Sequence, residues 1–389
     1  MYLFVKFQTN YQTPIYEDYD DPLNLFLFGG GFSYNSNLGN RNLKPEIKTE
    51  YELGADLKFF NNRLTLSGTY YYNTIVNVLL DIPLTPSTGA NYIYGNGGAL
   101  KNKGLEFDFD LQLLKTKKGL NASIYGNYNN NKNEVTDIQG ATSLALTSEA
   151  ISSRAVVGHQ LGTLWGTRAL RNTDGTFNLD ANGFPQLDSE QGVIGDPNPD
   201  WRGAFGFKAD YKGFFGNIMF ETSQGGDFAE RTRFILGSFG TSEEVGNDVI
   251  PSTNIRDRAG VLHLAGVPVR GNIRDFGAGP VLLNEAYYTT IGGGLGASVI
   301  NEFAINNNAS WTRLSELTLG YTLNSKGFKK KTKLASATFT LTGRNLAIWT
   351  NLLGVDPQTN QTGVGNGFGI DYFTNPASKT YLFTLQIKY

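Results

Sequence analysis

The chain alternates between apolar and polar positions with a period of two. In Tyr51-Glu52-Leu53-Gly54-Ala55-Asp56-Leu57-Lys58-Phe59 the odd positions are apolar and the even ones are charged or glycine. Leu105-Glu106-Phe107-Asp108-Phe109-Asp110-Leu111-Gln112-Leu113 repeats the pattern without an error. A β-strand sends successive side chains to opposite faces, so each segment carries one greasy face and one polar face. The same reading places Leu64, Leu66, Tyr70 and Tyr72 opposite Thr65, Ser67 and Thr69, and Leu120, Ala122, Ile124 and Tyr128 opposite Asn121, Ser123 and Asn127. It holds for Trp201–Tyr211, Leu317–Leu323, Ala335–Leu341 and Tyr381–Tyr389, and more weakly for residues 1–9 and 215–223, where Met219 interrupts the polar face. Ten strands are predicted, each near the roughly 9–11 residues a tilted strand needs to cross a bilayer.

Connection lengths add a second signal. Residues 60–63, 114–119, 212–214 and 324–333 are short links, several with turn chemistry such as Asn61-Asn62 or Lys118-Gly119. Long links at 10–49, 73–104, 129–200, 224–312 and 344–379 separate them, in strict alternation. Compact soluble domains seldom carry even one structureless loop beyond about 15 residues. Outer-membrane barrels have short turns on one side and long loops on the other. Tyr70-Tyr71-Tyr72, Phe59-Phe60 and Phe214-Phe215 fall at strand ends, as the interfacial girdles of a membrane barrel do. A soluble sandwich also alternates and also pairs aromatics across strands. At this level it stays open as the rival, a secreted or surface-exposed binding module whose greasy faces would stack on each other.

Composition favours strands over helices: 13% aromatic residues, 47 glycines and only 17% charged residues, against about 25% charged in ordinary soluble domains. The 33 basic and 35 acidic residues leave a formal charge of −2, so nothing suggests the clustered basic surface that nucleic acid requires. There is no cysteine, which excludes a disulfide framework and thiolate metal sites. No run approaches the roughly 18 apolar residues of a membrane helix. Met1-Tyr2-Leu3-Phe4-Val5-Lys6-Phe7 alternates, unlike a signal peptide.

Candidate chemistry is sparse. His159 and His263 are the two histidines, both in expected loops and more simply read as loop residues without partners than as a metal or general-base site. Asn172-Thr173-Asp174-Gly175 and Asp180-Ala181-Asn182-Gly183 share fragments of a calcium loop but lack its closing Glu, and turn chemistry explains them better. Gly29-Gly30-Gly31 and Gly292-Gly293-Gly294 lack the Lys-Ser/Thr of a phosphate loop and read as mobile loop. Lys329-Lys330-Lys331 reads as a solvated turn. Asp196 to Asp200 fits either a ligand contact or a Pro-braced turn. No catalytic, cofactor or metal residues are expected, and no substrate-binding residues are assigned. The chain is read as not an enzyme; an outer-membrane hydrolase would need a clustered Ser/His or acidic/His set.

Several segments together resemble the SusC/RagA-like TonB-dependent outer-membrane transporters. They are Asn42-Leu43-Lys44-Pro45-Glu46 with the strand after it, Gly97 through Gly104, Gly195-Asp196-Pro197-Asn198-Pro199-Asp200-Trp201, Arg313-Leu314-Ser315-Glu316-Leu317-Thr318-Leu319-Gly320-Tyr321, and Gly343-Arg344-Asn345-Leu346 followed by Asp356-Pro357. The resemblance implies an all-β fold, an antiparallel transmembrane β-barrel portion with long extracellular loops. Residues 1–389 would be the C-terminal part of a barrel of roughly 22 strands. The family's plug domain, TonB box and signal peptide are not visible here, so the chain is expected to be a fragment, with closure of ten strands by themselves as the alternative. The implied role is import of an oligosaccharide or a peptide across the cell outer membrane. The implied partners are outer-membrane lipid, a SusD-like surface lipoprotein and the TonB complex, engaged through the N-terminal part. No cofactor and no nucleic acid is implied.

Overall fold

The computed structural model describes residues 2–9, 37–117, 119–294, 298–361, 365 and 367–389. Gly29–Gly31, Met1, Lys118 and most of the 10–49 link lie outside them. All ten expected strands are present: β1 (Tyr2–Thr9), β2 (Ile47–Phe59), β3 (Leu64–Pro83), β4 (Tyr92–Lys115), β5 (Leu120–Asp137), β6 (Trp201–Tyr211), β7 (Phe214–Gln224), β8 (Trp311–Leu323), β9 (Ser336–Thr350) and β10 (Thr380–Lys388). The fold is all-β.

The chain divides into two compact units. The first comprises Met1–Leu144, Ala155–Leu161 and Gly203–Phe215; the second comprises Ala145–Arg154, Gly162–Arg202 and Gly216–Tyr389. In the first, β1 to β6 pair in sequence order. In the second, β7 to β10 do the same. Neighbouring strands in chain order are what short hairpins produce. At 60–63 the turn uses left-handed backbone at Phe60, Asn61 and Asn62 (φ 54°, 56° and 64°), a conformation Asn tolerates and Phe rarely adopts. At Lys212-Gly213 both φ values are positive, as the two-residue hairpin turn of opposite hand demands.

Register keeps like faces together. Leu53 opposes Tyr70 and Asp56 opposes Ser67; Phe109 opposes Leu66 and Leu111 opposes Ile124. In the second unit Leu341 stands between Leu319 and Phe383, and Phe339 between Tyr321 and Leu385. The resulting faces are inverted relative to a soluble protein. Leu53, Leu105, Leu341 and Phe383 are 51%, 46%, 55% and 70% exposed, while Asn73 and Ser123 on the polar side are buried. Each Leu or Phe left outward in water would forgo about 1.5–3 kcal/mol of burial. The greasy faces do not stack on one another within either unit, which removes the sandwich.

The polar face is knit across strands. Ser67 Oγ donates to Asp56 Oδ1 at 2.5 Å and Lys208 Nζ to Asp110 Oδ2 at 2.7 Å. Asn102 Nδ2 donates to Asn73 Oδ1, and Asn73 Nδ2 to Glu50 Oε2. Thr322 and Thr338 hydroxyls meet at 3.0 Å. Tyr71 crosses Gly104 to reach Asn131 Oδ1; a Cβ on Gly104 would lie 2.3 Å from the Tyr71 hydroxyl.

Several links expected to be irregular are not. Residues 73–104 are mostly strand, since β3 runs to Pro83 and β4 starts at Tyr92. The glycines of this link include close-approach sites. Cβ atoms on Gly95 and Gly97 would sit 2.8 Å from Ile82 Cδ1 and 3.2 Å from Leu80 Cδ1. A bulge near Val78, beside left-handed Asn77, absorbs the extra residue. Likewise β5 continues to Asp137 and β9 to Thr350. Residues 326–332 form helix α3 (Lys326–Thr332). The Ser325 hydroxyl accepts from the Phe328 N–H, and Lys329–Lys331 occupy the last turn, where cations complement the helix dipole.

Candidate functional site: the folded connections of the second unit

The long connections of the second unit hold its buried apolar clusters. Helices α1 (Arg231–Ser238) and α2 (Glu285–Tyr288) interrupt 225–310. Around them Phe184, Phe276, Val281, Leu283, Tyr287 and Ile300 form one buried cluster, and Ile151, Leu164, Ala229, Phe234, Val299 and Ile370 form another. Gly292 and Gly293, expected to be mobile, are buried within this packing. A Cβ on Gly293 would stand 2.4 Å from the Tyr288 carbonyl, so only glycine allows the backbones to approach. Burial pushes the Tyr287 hydroxyl well above its ordinary pKa and raises that of Tyr288.

The Asp196–Asp200 stretch braces a corner. Asp196 N–H donates to Asp227 Oδ2 at 2.7 Å, and Asp227 N–H returns a bond to the Asp196 carbonyl at 2.7 Å. Gly225 and Gly226 both hold φ near +79°. A Cβ on Gly225 would meet Asp200 Oδ2 at 2.4 Å, and one on Gly226 the Pro197 carbonyl at 3.0 Å. Burial raises the Asp227 carboxyl, the Asp196 N–H partly offsets this, and the Asp196 charge adds to it. The Pro-braced turn accounts for these residues.

Two ion-pair clusters organise the connections further. Arg231, 5% exposed, donates from Nη1 to Glu149 Oε2 at 3.3 Å and Gln361 Oε1 at 3.0 Å, and its guanidinium lies 4.5 Å from the Tyr372 ring centroid. Beside it the buried Glu230 accepts from Arg233 Nη1 at 2.8 Å and from the Leu353 N–H at 3.0 Å. Asp371 is buried too; desolvation raises its carboxyl, and the Thr232 hydroxyl and N–H hold it back in part. One arginine therefore ties three separate connections together. At the strand end, Arg313 Nη2 donates to Asp356 Oδ1 at 2.6 Å and Nη1 to Asn345 Oδ1 at 3.0 Å, with the pair almost wholly buried. Asp356 also accepts from the Gln358 and Ala377 N–H groups, so it anchors both ends of 351–379 to β8.

His263 has a partner after all. Its Nε2 lies 3.1 Å from Asp257 Oδ2, and Asp257 also accepts from Asn284 Nδ2 and the Val261 N–H. Burial pushes the Asp257 carboxyl up, but these bonds together outweigh it and hold the group below its usual range. His159 is exposed and participates through its backbone, the carbonyl accepting from the Val135 N–H at 2.9 Å. Asp174 Oδ1 accepts from the Thr176 N–H and hydroxyl, and Asp180 Oδ1 from the Asn182 and Phe184 N–H groups, as turn-forming aspartates do. Among the described residues no three acidic or histidine side chains converge to hold a metal. Sequence reasoning did not find Arg231, Glu230 or Asp371. Their signal, a short charged run at 230–233 and a lone Asp371 within long connections, looks like an ordinary loop.

A strand wall with one exposed greasy face and folded connections at its strand ends is the architecture of a membrane β-barrel wall. A family model described as TonB dependent receptor-like, beta-barrel matches residues 2–346, and the chain belongs to this family. It is similar to TonB-dependent receptor P3 of Formosa agariphila, with 25% identity over 91% of this chain and 35% of that protein. It is similar also to TonB-dependent receptor SusC of Bacteroides thetaiotaomicron, with 23% identity over 90% of this chain and 32% of that one. Among solved structures, that of the RagAB peptide transporter superposes with a TM-score of 0.65 at 21% identity, covering 100% of this chain and 38% of the matched one. The "closed-closed" state of the RagAB peptide importer gives 0.66. The chain spans about a third of the length of the curated relatives it matches.

Proposed function

We propose that this chain supplies the C-terminal part of the barrel wall, with its outer connections, of an outer-membrane importer of oligosaccharides or peptides. TonB powers the cycle and a SusD-like surface lipoprotein shares ligand capture. The observation that supports it most is the inverted strand surface, with Leu53, Leu105, Leu341 and Phe383 outward and Asn73 and Ser123 inward. Such faces suit hydrocarbon on one side and a wet or plugged lumen on the other. Backbone groups in hydrocarbon must all be paired. Among the described residues β10 pairs with β9 alone, and in a membrane its other edge requires a partner strand. The chemistry of this role is binding and passage.

The test has two arms. Membrane fractionation should place the protein in the outer membrane, resistant to a urea wash; recovery in the supernatant without detergent would defeat the reading. Deleting the gene should then abolish uptake of some members of a labelled oligosaccharide and peptide panel. Unchanged uptake of every member would leave a barrel without the proposed role.

A further inference from the structure

A cleft of about 560 Å³ opens in the second unit beside α1 and α2, and Phe239, Val245, Val269, Arg270, Glu285 and Tyr288 line it. That volume suits a ligand of two or three residues or sugar rings. The neutral polar side chains on its walls are already engaged. Asn284 donates to Asp257 and accepts from the Ala286 N–H. Thr289 Oγ1 donates to the Glu285 carbonyl, Ser238 Oγ to the Ile235 carbonyl, and the Tyr288 hydroxyl accepts from Asn272 Nδ2. An oligosaccharide is held by many hydrogen bonds spread around each ring, and with these side chains already partnered the cleft offers few.

Two charges of opposite sign and an apolar wall remain. Arg270 is 71% exposed, and its one ion-pair partner among the described residues, Asp248, stands at 3.5 Å and is 67% exposed. A pair that open to water is weak, so the guanidinium is free to exchange Asp248 for a ligand carboxylate. Glu285 is exposed on the first turn of α2. Phe239, 72% exposed, stands at the rim, while Val245 and Val269 supply aliphatic surface.

We infer that this cleft binds a short zwitterionic peptide with apolar side chains, its C-terminal carboxylate on Arg270, its N-terminal ammonium on Glu285 and a side chain against Phe239. This rests on the import reading and narrows its substrate to peptide.

Calorimetry on the purified protein in lipid nanodiscs tests it with three probes: free trivaline, trivaline acetylated and amidated at its ends, and maltotriose. Free trivaline should bind about tenfold more tightly than the blocked form, since blocking removes two solvent-open ion pairs that are each worth about threefold. Arg270→Gln and Glu285→Gln should each weaken free trivaline about threefold and leave the blocked form unchanged. Equal binding of free and blocked trivaline in the wild-type protein, which needs no variant to fold, would overturn the assignment. So would wild-type affinity in both variants, or displacement of trivaline by maltotriose. Uptake assays run beside the calorimetry separate the two claims. Peptide binding without uptake defeats import and leaves the cleft standing; uptake without binding here defeats the cleft alone.

Discussion

Removing the Asp356 carboxylate by Asp356→Ala should free the 351–379 connection at both ends while leaving the strand wall intact. Asp356 and Arg313 are about nine-tenths buried or more, at 2.6 Å. Deleting one partner of such a pair costs about 3–5 kcal/mol, because the survivor stays desolvated and unpaired. The low end applies. Arg313 Nε is already buried without a partner, so the native pair is not fully satisfied, and Asn345 Oδ1 continues to accept from Nη1. About 3 kcal/mol corresponds to a shift on the order of 100-fold in the local opening equilibrium. The loss is local, because the connection can open while β8 and β9 remain paired. Hydrogen exchange in nanodiscs reads this directly: the Gln358 and Ala377 amides, which donate to Asp356, should exchange on the order of 100-fold faster, and the Thr318 and Leu341 amides within the wall should not change. A double variant, Arg313→Met with Asp356→Asn, removes both charges, keeps an oxygen that can accept from the Gln358 N–H, and should recover part of the loss there, since no charge is left buried and unpaired. Unaltered exchange at Gln358 and Ala377 in Asp356→Ala would refute the anchor. A double variant as loose as the single one would refute the electrostatic account of it.

Leu341→Arg on the outward face should cost about 2–4 kcal/mol in a bilayer and abolish heat-modifiable migration on gels, whereas Thr342→Arg on the polar face should be tolerated; equal effects would contradict the assignment of faces. Gly226→Ala combines a φ of +79° with a Cβ 3.0 Å from the Pro197 carbonyl, and should lower the thermal midpoint through a penalty of about 1–3 kcal/mol; a midpoint at or above wild type would remove the brace. Because hydrogen bonds hold the Asp257 carboxyl below its usual range, the stability it contributes is complete above the ordinary carboxylate value of about 4. It is lost as pH falls through the lowered folded value. Proteolysis of the 255–284 region should therefore accelerate only below about pH 4, and Asp257→Asn should flatten that dependence.

The strand wall was legible because its physics is one-dimensional. Alternation at Leu53, Leu57, Leu105 and Phe109 depends only on parity along the chain, and burial on one side is enough to set it. The connections were not legible for the opposite reason. Arg231 finds Glu149, Gln361 and Tyr372 across 82, 130 and 141 positions, and no local periodicity carries that information. Glycine misled at Gly293, a packed approach site where a side chain is absent because a neighbour fills the space. Arg313 and Asp356 each lay in segments noted for their resemblance, but the bond between them needed coordinates.

The pairing of like faces along the described hairpins has a consequence for how such a wall tolerates change in length. Deleting one residue inside β9 would turn Leu341 and Phe339 toward water and Thr340 and Thr342 toward lipid, past the site, all at once. Substitution is graded, but a single-residue insertion or deletion is all-or-nothing, so the strands can drift freely in identity while their residue count can shift only by twos or be taken up in a kink like the one at Val78. The inter-strand segments face no such odd–even rule, and lineages of this barrel should record their history of gained and lost residues there.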